Sequence, residues 1–171
     1  MQISMRNKIP IKTIWLPRPA TKYSGCYPLH FEKTISGLLG TDNFIHVFSG
    51  SATVGHTVDI NARCNPDTIC NAEELPFPDN YFDGGFADPP YNERFAKGLY
   101  NCKYPKWSKW TKELVRVVKP KCKIGIMQNY VVPRLPECEY DNILVILLRI
   151  KQFPKIVTIQ RKIKSKGEGN E

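Results

Sequence analysis

Apolar residues recur at helical spacing in two segments of the chain. In residues 28–39 they are three or four positions apart, a proline stands at the start and Gly40 follows. Proline suits the first turn of a helix, and glycine is common just after the last turn. Residues 107–118 keep the same spacing until Pro120, and proline interrupts a helix because it lacks an N–H group. The two patterns predict two helices.

Short apolar runs predict seven strands. They occupy residues 44–48, 56–60, 68–70, 81–87, 123–132, 143–150 and 156–160. The last two runs flank Pro154 and indicate an antiparallel hairpin. Strands that alternate with helices are typical of an α/β fold with a parallel sheet. We therefore predict an α/β fold whose sheet is mostly parallel and is closed by a C-terminal antiparallel hairpin.

Polar or glycine-containing segments follow three of the predicted strands. They are residues 49–53, 59–61 and 88–92. In parallel sheets, ligands bind beyond the carboxyl ends of the strands, where such segments meet. The sequence therefore predicts a ligand site at this edge of the sheet.

Length and composition suit one folded domain, since the chain has 171 residues and a hydrophobic content of 42%. We predict this domain over residues 21–164, with an N-terminal arm (1–20) before it and a disordered polar tail (165–171) after it. No apolar run is long enough to cross a bilayer, no apolar block of a secretory signal follows the basic N-terminus, and the six cysteines form no CxxC pair. We expect a cytoplasmic protein with reduced thiols, no metal site and no membrane contact.

The net charge of +9 is unevenly distributed along the chain. Residues 59–93 contain eight acidic residues and one basic residue, whereas residues 97–123 contain nine basic residues and one acidic residue. Residues 149–166 add seven basic residues and no acidic one. Basic segments around an acidic centre favour a polyanionic partner such as nucleic acid. An ordinary solvated lysine-rich surface has the same composition.

The segment Asp88-Pro89-Pro90-Tyr91 combines groups that can hold an aromatic amine. The two prolines have no N–H group, so their carbonyls are free to accept hydrogen bonds from elsewhere. A carboxylate beside a free carbonyl can accept both hydrogens of an –NH2 group, and a tyrosine ring can stack on a planar base. The alternative is a strand that ends in an ordinary Pro-Pro turn. We predict these four residues as the catalytic residues.

This tetrapeptide resembles the D-P-P-Y motif of class I S-adenosylmethionine-dependent methyltransferases, in particular those that modify amino groups of DNA bases. The likeness extends over residues 22–161. Residues 48–53, F-S-G-S-A-T, are similar to the F-x-G-S-G-T cofactor loop of the family, and Asp59 is similar to the acidic residue that holds the cofactor ribose. Residues 71–83 resemble a D-A-x-x-L-P-F-x-D-x-x-F-D stretch near the adenine. Residues 22–28 resemble the segment beside the methionine end of the cofactor.

The resemblance implies a three-layer Rossmann-like methyltransferase fold with S-adenosylmethionine as its cofactor. It places ten residues at the cofactor: Tyr23, Phe48, Ser49, Gly50, Ser51, Asp59, Ile60, Asn71, Ala72 and Asp88. We also predict a long polar loop over residues 92–105 that lines the mouth of the substrate site through Asn92, Tyr100 and Lys103.

Several positions depart from the family pattern. Ala52 replaces the second glycine of the cofactor loop, and a larger residue there crowds the backbone against a ligand. Only about ten residues separate Phe48 from Asp59, whereas a parallel crossover normally needs a dozen or more. This spacing predicts a shortened first crossover; the alternative is that Asp59 does not correspond to the acidic residue of the family. Asn71 stands where the family has an acid, and Glu73 is a candidate substitute.

The predicted function is methyl transfer to an exocyclic amino group of a nucleic-acid base, most simply adenine N6 in DNA. Cytosine N4, guanine N2 in RNA and a protein glutamine amide are alternatives with the same amine chemistry. A catalytically inactive nucleic-acid-binding partner subunit, or a DNA-binding module without a cofactor, also fits the charge. We expect nucleic acid, DNA before RNA, as the partner, and a homodimer or an accessory specificity subunit is compatible with the short chain.

Overall fold

The computed structural model describes residues 8–17, 27–148 and 153–163, apart from the side chains of Leu99 and Tyr100. The helices and strands, in chain order, are β1 (Ile11–Trp15), α1 (Glu32–Leu39), β2 (Ile45–Val47), β3 (His56–Asp59), a short 3₁₀ helix (Ala62–Cys64), β4 (Thr68–Ile69), β5 (Phe82–Ala87), α2 (Glu93–Tyr100), α3 (Trp107–Val117), β6 (Val118–Gln128), β7 (Cys138–Leu147) and β8 (Lys155–Lys162). The predicted tail and Tyr23 lie outside the described residues.

Eight strands of the described part form one sheet in the order β1-β7-β8-β6-β5-β2-β3-β4. The pairs from β4 to β6 are parallel. Strand β8 runs antiparallel between β6 and β7. The sequence-based prediction of a mostly parallel sheet with a C-terminal antiparallel hairpin is therefore confirmed.

Helices cover both faces of this sheet and make the fold three-layered. On one face, α1 buries Ile35 and Leu39 against Phe86 of β5. On the other face, α3 buries Trp110 and Leu114 against the strands. Burying such side chains is the main stabilising contribution to a fold of this size.

Two adjacent glycines let β5 lie close to both helical layers. A Cβ atom on Gly84 would lie 3.0 Å from the Thr41 side chain, and one on Gly85 would lie 2.9 Å from the side chains of Leu114 and Val118. A side chain at Gly85 would displace Leu114 or Val118, and one at Gly84 would press on Thr41. The two glycines therefore allow close packing on both faces of β5, whose carboxyl end leads directly into Asp88.

The first crossover contains no helix, as the sequence spacing predicted. Residues 48–55 alone connect the parallel strands β2 and β3. The turn relies on unusual backbone conformations, since Phe48, Gly50 and Gly55 have positive φ angles of 55°, 53° and 74°. It is also tied to β2 by the buried His46 ring, whose Nδ1 lies 3.0 Å from the Val54 carbonyl oxygen.

The structure corrects several predicted boundaries. The predicted first helix starts at Glu32 and not at residue 28. The strand predicted over residues 123–132 begins at Val118, directly after α3, so Pro120 lies inside a strand. The hairpin strands predicted over residues 143–150 and 156–160 are Cys138–Leu147 and Lys155–Lys162.

One strand, one α-helix and the short 3₁₀ helix are absent from the sequence-based prediction. Part of the predicted N-terminal arm forms β1, which pairs in parallel with β7 at the edge of the sheet. Residues 93–100 form α2, so the prediction of a continuous polar loop over residues 92–105 is wrong. Asn92 starts this helix, because its side-chain Oδ1 accepts a 2.9 Å hydrogen bond from the Phe95 N–H. Within the described residues, no helix is long and apolar enough to cross a membrane.

Candidate active site

A cavity of about 210 Å³ opens at the carboxyl edge of the parallel strands. It is bounded by the ends of β2, β3 and β5 and by the segments that follow β4 and α2. The lining residues are Tyr27, Phe48, Ser49, Gly50, Val58, Asp59, Ile60, Asn61, Cys64, Cys70, Asn71, Ala72, Glu73, Asp88, Pro90, Cys102, Lys103 and Pro105. The structure therefore brings together residues that lie up to 78 positions apart between Tyr27 and Pro105.

The turn after β2 forms one wall of this cavity. Phe48 packs its ring against Trp110, with the ring centroids 5.4 Å apart. The Ser49 N–H donates a 3.1 Å hydrogen bond to the Val58 carbonyl. The Gly50 N–H donates to Asp59 Oδ2 at 2.9 Å. The turn is thus fastened to β3 at two consecutive residues.

Asp59 has a structural role as well as a place in the cavity wall. Its Oδ1 accepts a 2.8 Å hydrogen bond from the Asn61 N–H, while Oδ2 accepts from Gly50. An ionised carboxylate offers about four acceptor positions, so two remain for hydroxyl groups of a ligand. The next residue, Ile60, is 58% exposed and presents an apolar side chain at the same wall.

The Ser49 hydroxyl has no hydrogen-bond partner although it is buried. Among the described residues it is one of two buried side-chain polar groups without such a partner. An unpaired buried hydroxyl is unfavourable, and native structures seldom retain one without a ligand, water or functional role. At the neighbouring Gly50, a Cβ atom would meet nothing within 4 Å. Both observations indicate room and hydrogen-bonding capacity for a ligand beside the turn.

Ala52 does not crowd the cavity. It is absent from the cavity lining and packs instead against the apolar cluster under α1. The concern raised by the missing second glycine of the cofactor loop therefore does not apply to this turn, since the partly buried methyl group of Ala52 packs against that cluster.

The opposite wall, residues 71–73, is held in place by α3. Arg116 donates to the carbonyl oxygens of Leu75 and Phe77 at 2.9 and 2.7 Å. Glu113 accepts from the Leu75 N–H at 2.9 Å. Ionic hydrogen bonds of this kind are stronger than neutral ones. They fix Leu75 and Phe77, which follow this wall in the chain, against α3.

Glu73, the candidate substitute for the acid missing at Asn71, lines the cavity and is also engaged in this wall. Its Oε1 accepts a 2.7 Å hydrogen bond from the Lys106 N–H, and its Oε2 lies 3.7 Å from Lys109 Nζ. Asn71 itself accepts from the Glu73 N–H at 3.0 Å. The wall therefore joins the cavity to the start of α3.

Asp88 lies where β5 ends, at the junction of the cavity with the Pro-Pro segment. Its N–H donates to the Val47 carbonyl at 3.4 Å, which sets it beside the turn after β2. Burial raises the pKa of its carboxyl group from 3.8 to about 6, against the opposing effects of Lys155 and of a hydrogen bond from the Tyr91 hydroxyl. A carboxylate in a desolvated cleft with a raised pKa is typical of functional sites.

Tyr91 is turned towards Asp88 and is contacted by a lysine from a distant strand. Lys155, the first residue of β8, donates a hydrogen bond to the Tyr91 hydroxyl and lies 3.9 Å from the centroid of its ring. The Phe95 ring packs edge-on against the Tyr91 ring, and the two ring centroids are 6.3 Å apart. Sequence reasoning did not select Lys155, because 64 positions separate it from Tyr91.

The predicted site residues divide into three groups. Those that line the cavity are Phe48, Ser49, Gly50, Asp59, Ile60, Asn71, Ala72, Asp88, Pro90 and Lys103. Those outside the lining are Ser51, Pro89, Tyr91 and Asn92. Pro89 is buried next to the cavity, Tyr91 is linked to Asp88, and Asn92 caps α2. Tyr23 and the side chain of Tyr100 lie outside the described part of the chain.

Tyr27 lines the cavity; the resemblance placed its segment, residues 22–28, beside the cofactor but selected Tyr23 as the site residue. Its hydroxyl lies 2.8 Å from His46 Nε2, so the neutral ring can accept from Tyr27 and donate through Nδ1 to Val54. Burial lowers the pKa of His46 to about 4, which keeps this ring neutral. The position four residues after the predicted Tyr23, in the same Tyr-containing segment, was the available signal.

Three cysteines, Cys64, Cys70 and Cys102, also line the cavity. Burial raises the pKa of the Cys70 and Cys102 thiols, so these two groups are protonated at neutral pH. Within the ranges that the structure describes, no cluster of histidine, cysteine and acidic side chains is arranged to hold a metal ion.

Comparison with known proteins shows the fold. No family model matches the sequence, and no curated protein matches it. The structure is similar to TrmN from Thermus thermophilus (TM-score 0.56, 13% identity), with 77% of this chain aligned to 48% of that chain. The chain therefore spans about half the length of TrmN.

Two further structures cover most of both chains. A 1,6-didemethyltoxoflavin-N1-methyltransferase from Burkholderia thailandensis, with S-adenosylhomocysteine bound, aligns over 78% of this chain and 76% of its own (TM-score 0.53, 12% identity). The [4+2]-cyclase SpnF aligns over 90% and 88% (TM-score 0.57, 12% identity). The chain has the Rossmann-like fold of S-adenosylmethionine-dependent methyltransferases. Because a cyclase shares this fold, the fold alone does not determine the reaction.

Proposed function

We propose that the chain is an S-adenosylmethionine-dependent methyltransferase that acts on an exocyclic amino group of a nucleic-acid base, with adenine N6 in DNA as the first candidate. The observation that carries this proposal is that one cavity is lined by Asp88 and Pro90, by the turn after β2 and by Asp59 at the end of β3. A methyl donor and an amine acceptor need such a shared space, since the acceleration depends on holding the two in line.

The cavity walls have the chemistry that this cofactor requires. The Asp59 carboxylate retains acceptor positions for ribose hydroxyls, Ile60 offers an apolar surface for a planar base, and the unpaired Ser49 hydroxyl can bond a polar group. When bound, S-adenosylmethionine supplies an electrophilic methyl group. The residues that would hold it belong to the turn after β2, the end of β3 and the wall at Asn71.

Asp88 and Pro89 would orient the target amine. The Asp88 carboxylate and the neighbouring Pro89 carbonyl would accept the two hydrogens of the –NH2 group and leave its nitrogen lone pair free for the methyl donor; Pro89 itself lies next to the cavity lining. As the target nitrogen bonded to the methyl carbon, the bond from that carbon to the cofactor sulfur would break, and the nitrogen would then lose one proton. With a pKa of about 6, Asp88 is ionised at pH 7 and can accept that proton.

The partner proposed for this site is nucleic acid. The exposed Lys103 lies at the cavity, and the exposed aromatic side chains of Phe95 and Tyr104 lie in the segments after Tyr91. Lysines bind phosphates without reading sequence, and aromatic rings stack on unpaired bases. We propose that a second copy or an accessory subunit supplies target specificity, since a structurally similar protein forms a complex with the Haloferax volcanii Trm112 methyltransferase activator.

The experiment measures transfer of a labelled methyl group from S-adenosylmethionine to duplex DNA, single-stranded DNA, RNA and a protein mixture. Mass spectrometry of the digested products then identifies the methylated group. Formation of N6-methyladenine supports the proposal, whereas a methylated cytosine, guanine or glutamine transfers it to the corresponding alternative. Asp88→Ala should abolish transfer and retain cofactor binding, and the exposed Asp42→Ala is the matched control. Calorimetry with S-adenosylmethionine separates the inactive partner subunit, because a chain that has lost cofactor binding should show no heat of binding.

A further inference from the structure

Lys155 is a half-buried cation that the sheet places next to Tyr91, in the segment Asp88-Pro89-Pro90-Tyr91. It opens β8 and pairs with Ile146 of β7. Its ammonium group lies over the Tyr91 ring, 3.9 Å from the centroid, and donates a hydrogen bond to the Tyr91 hydroxyl. That hydroxyl in turn donates to the Asp88 carboxylate. The three side chains therefore form a continuous chain from the end of β5 to the start of β8.

A buried ammonium group needs compensation, because leaving water costs it several kcal/mol. Burial lowers the pKa of Lys155, and the Asp88 charge opposes this effect. Conversely, Asp88 faces two groups, Tyr91 of the segment that follows β5 and Lys155 of β8, and both favour its ionised form. The two charges are thus mutually stabilising, with the phenol between them.

Lys162 shows how a buried lysine with a purely structural role is placed on the same strand. Its Nζ donates to the carbonyl oxygens of Val115 and Val118 and to Asn80 Oδ1, at 2.8, 2.7 and 2.8 Å. These partners satisfy all three of its hydrogens. Lys155 has a different environment, since its partners are a catalytic-segment phenol and the charge of Asp88.

We propose that Lys155 is a positioning residue of the active site: it holds the Tyr91 phenol against Asp88 and supplies the positive charge that keeps Asp88 ionised as the amine acceptor. This inference rests on the proposed function for its catalytic meaning. The contact of Lys155 with Tyr91 and its charge coupling to Asp88 do not depend on that function.

The consequence for the reaction concerns the acceptor strength of Asp88. An ionised carboxylate accepts from the target amine and keeps electron density on the nitrogen, whereas a protonated one has lost part of its acceptor capacity. The hydrogen bond from Tyr91 leaves further acceptor positions on the carboxylate. Losing Lys155 should therefore raise the pH at which the Asp88 carboxyl group becomes ionised. The cavity walls proposed to bind the cofactor should stay unchanged.

The direct test follows the Asp88 carboxyl carbon by NMR in chains labelled at aspartate, with the resonance assigned by Asp88→Asn. In Lys155→Met, we expect the pKa of Asp88 to rise by about one unit or more, the usual effect of losing an adjacent opposite charge. Lys155→Arg should preserve the original value, because it keeps the charge. The exposed Lys12→Met on β1 is the matched control. If Lys155→Met fails to fold, Tyr91→Phe removes the linking hydroxyl and should also raise the pKa.

Activity gives the second readout. The acid limb of kcat/KM for methyl transfer should shift upward in Lys155→Met by the same amount as the NMR value and return in Lys155→Arg, with cofactor affinity unchanged. An unaltered Asp88 pKa in folded Lys155→Met, or an arginine variant as impaired as the methionine variant, would overturn the inference. Because the NMR titration needs no substrate, a wild-type chain that methylates no acceptor would defeat the proposed function and leave the Lys155 coupling to be judged by its own result.

Discussion

The raised pKa of Asp88 makes a quantitative prediction for the pH dependence of methyl transfer. With a pKa of about 6, the carboxyl group is about 90% ionised at pH 7 and about 10% ionised at pH 5. If transfer requires the ionised form, kcat/KM should fall about tenfold across this interval. An aspartate at its ordinary value of 3.8 would stay more than about 90% ionised at pH 5, so the rate would hardly change.

The assay measures initial rates of labelled methyl transfer between pH 5 and pH 8. The value of kcat/KM for S-adenosylmethionine is used because it reports the ionisation of the free enzyme. Bound S-adenosylmethionine carries a positive charge, which should move the limb of kcat to a lower pH than that of kcat/KM. Asp88→Asn should lower the rate roughly 10²-fold or more and abolish the acid limb. Circular dichroism at each pH controls for unfolding. A flat profile in a folded chain, or a fully active Asp88→Asn, would refute the role assigned to this carboxylate.

Three further substitutions test other parts of the structure. Gly55→Ala places a Cβ atom 2.5 Å from the Phe44 ring at a φ of +74°, and we expect a loss of about 2–4 kcal/mol of stability in urea denaturation; a loss below about 0.5 kcal/mol would contradict the packing. Lys162→Met leaves two helix-end carbonyls and one amide oxygen without their donor, so it should cost about 2–4 kcal/mol, and an unchanged denaturation midpoint would argue against that burial. Asp59→Ala releases the Gly50 N–H and removes a ligand acceptor, so the Kd for S-adenosylmethionine should rise about tenfold or more in calorimetry, while Asp42→Ala keeps the wild-type Kd.

The strands and helices with strong apolar patterns could be predicted from the sequence. Helix α3 was found because its apolar residues face one layer of the sheet at regular spacing. Helix α2 was missed because it is mostly exposed and polar, and its main signal was the Asn92 cap followed by Glu93. Strand β1 was missed because it lies at the sheet edge with exposed side chains, so no buried alternation marked it.

The absence of a helix from the first crossover could be predicted from the spacing of Phe48 and Asp59 in the sequence. Ten positions between Phe48 and Asp59 left no room for a helix, and the structure shows a turn that uses positive φ angles and hydrogen bonds to β3 instead. The sequence could not show that the methyl group of Ala52 points away from the cavity. Its direction depends on how the turn folds over α1.

Within the candidate site, the motifs of the sequence identified the residues that follow the carboxyl ends of the strands. Asp59 and Asp88 are among them, and both line the cavity. It could not select Lys155, since that contact depends on β8 entering the sheet antiparallel between β6 and β7. Within the segment 22–28, the sequence could not single out Tyr27 for a related reason: its place is set by the buried His46 of a strand 19 positions later. Long-range pairings of this kind are properties of the topology and not of any local pattern.

A crystal structure of the chain grown with S-adenosylhomocysteine would show whether the cavity between Asp59 and Asp88 binds the cofactor. We expect density for one molecule in the cavity, with its ribose hydroxyls bonded to Asp59 and its sulfur facing the side of Asp88 and Pro90. Density elsewhere on the protein, or an empty cavity at millimolar ligand in a crystal whose packing leaves the cavity open, would contradict it.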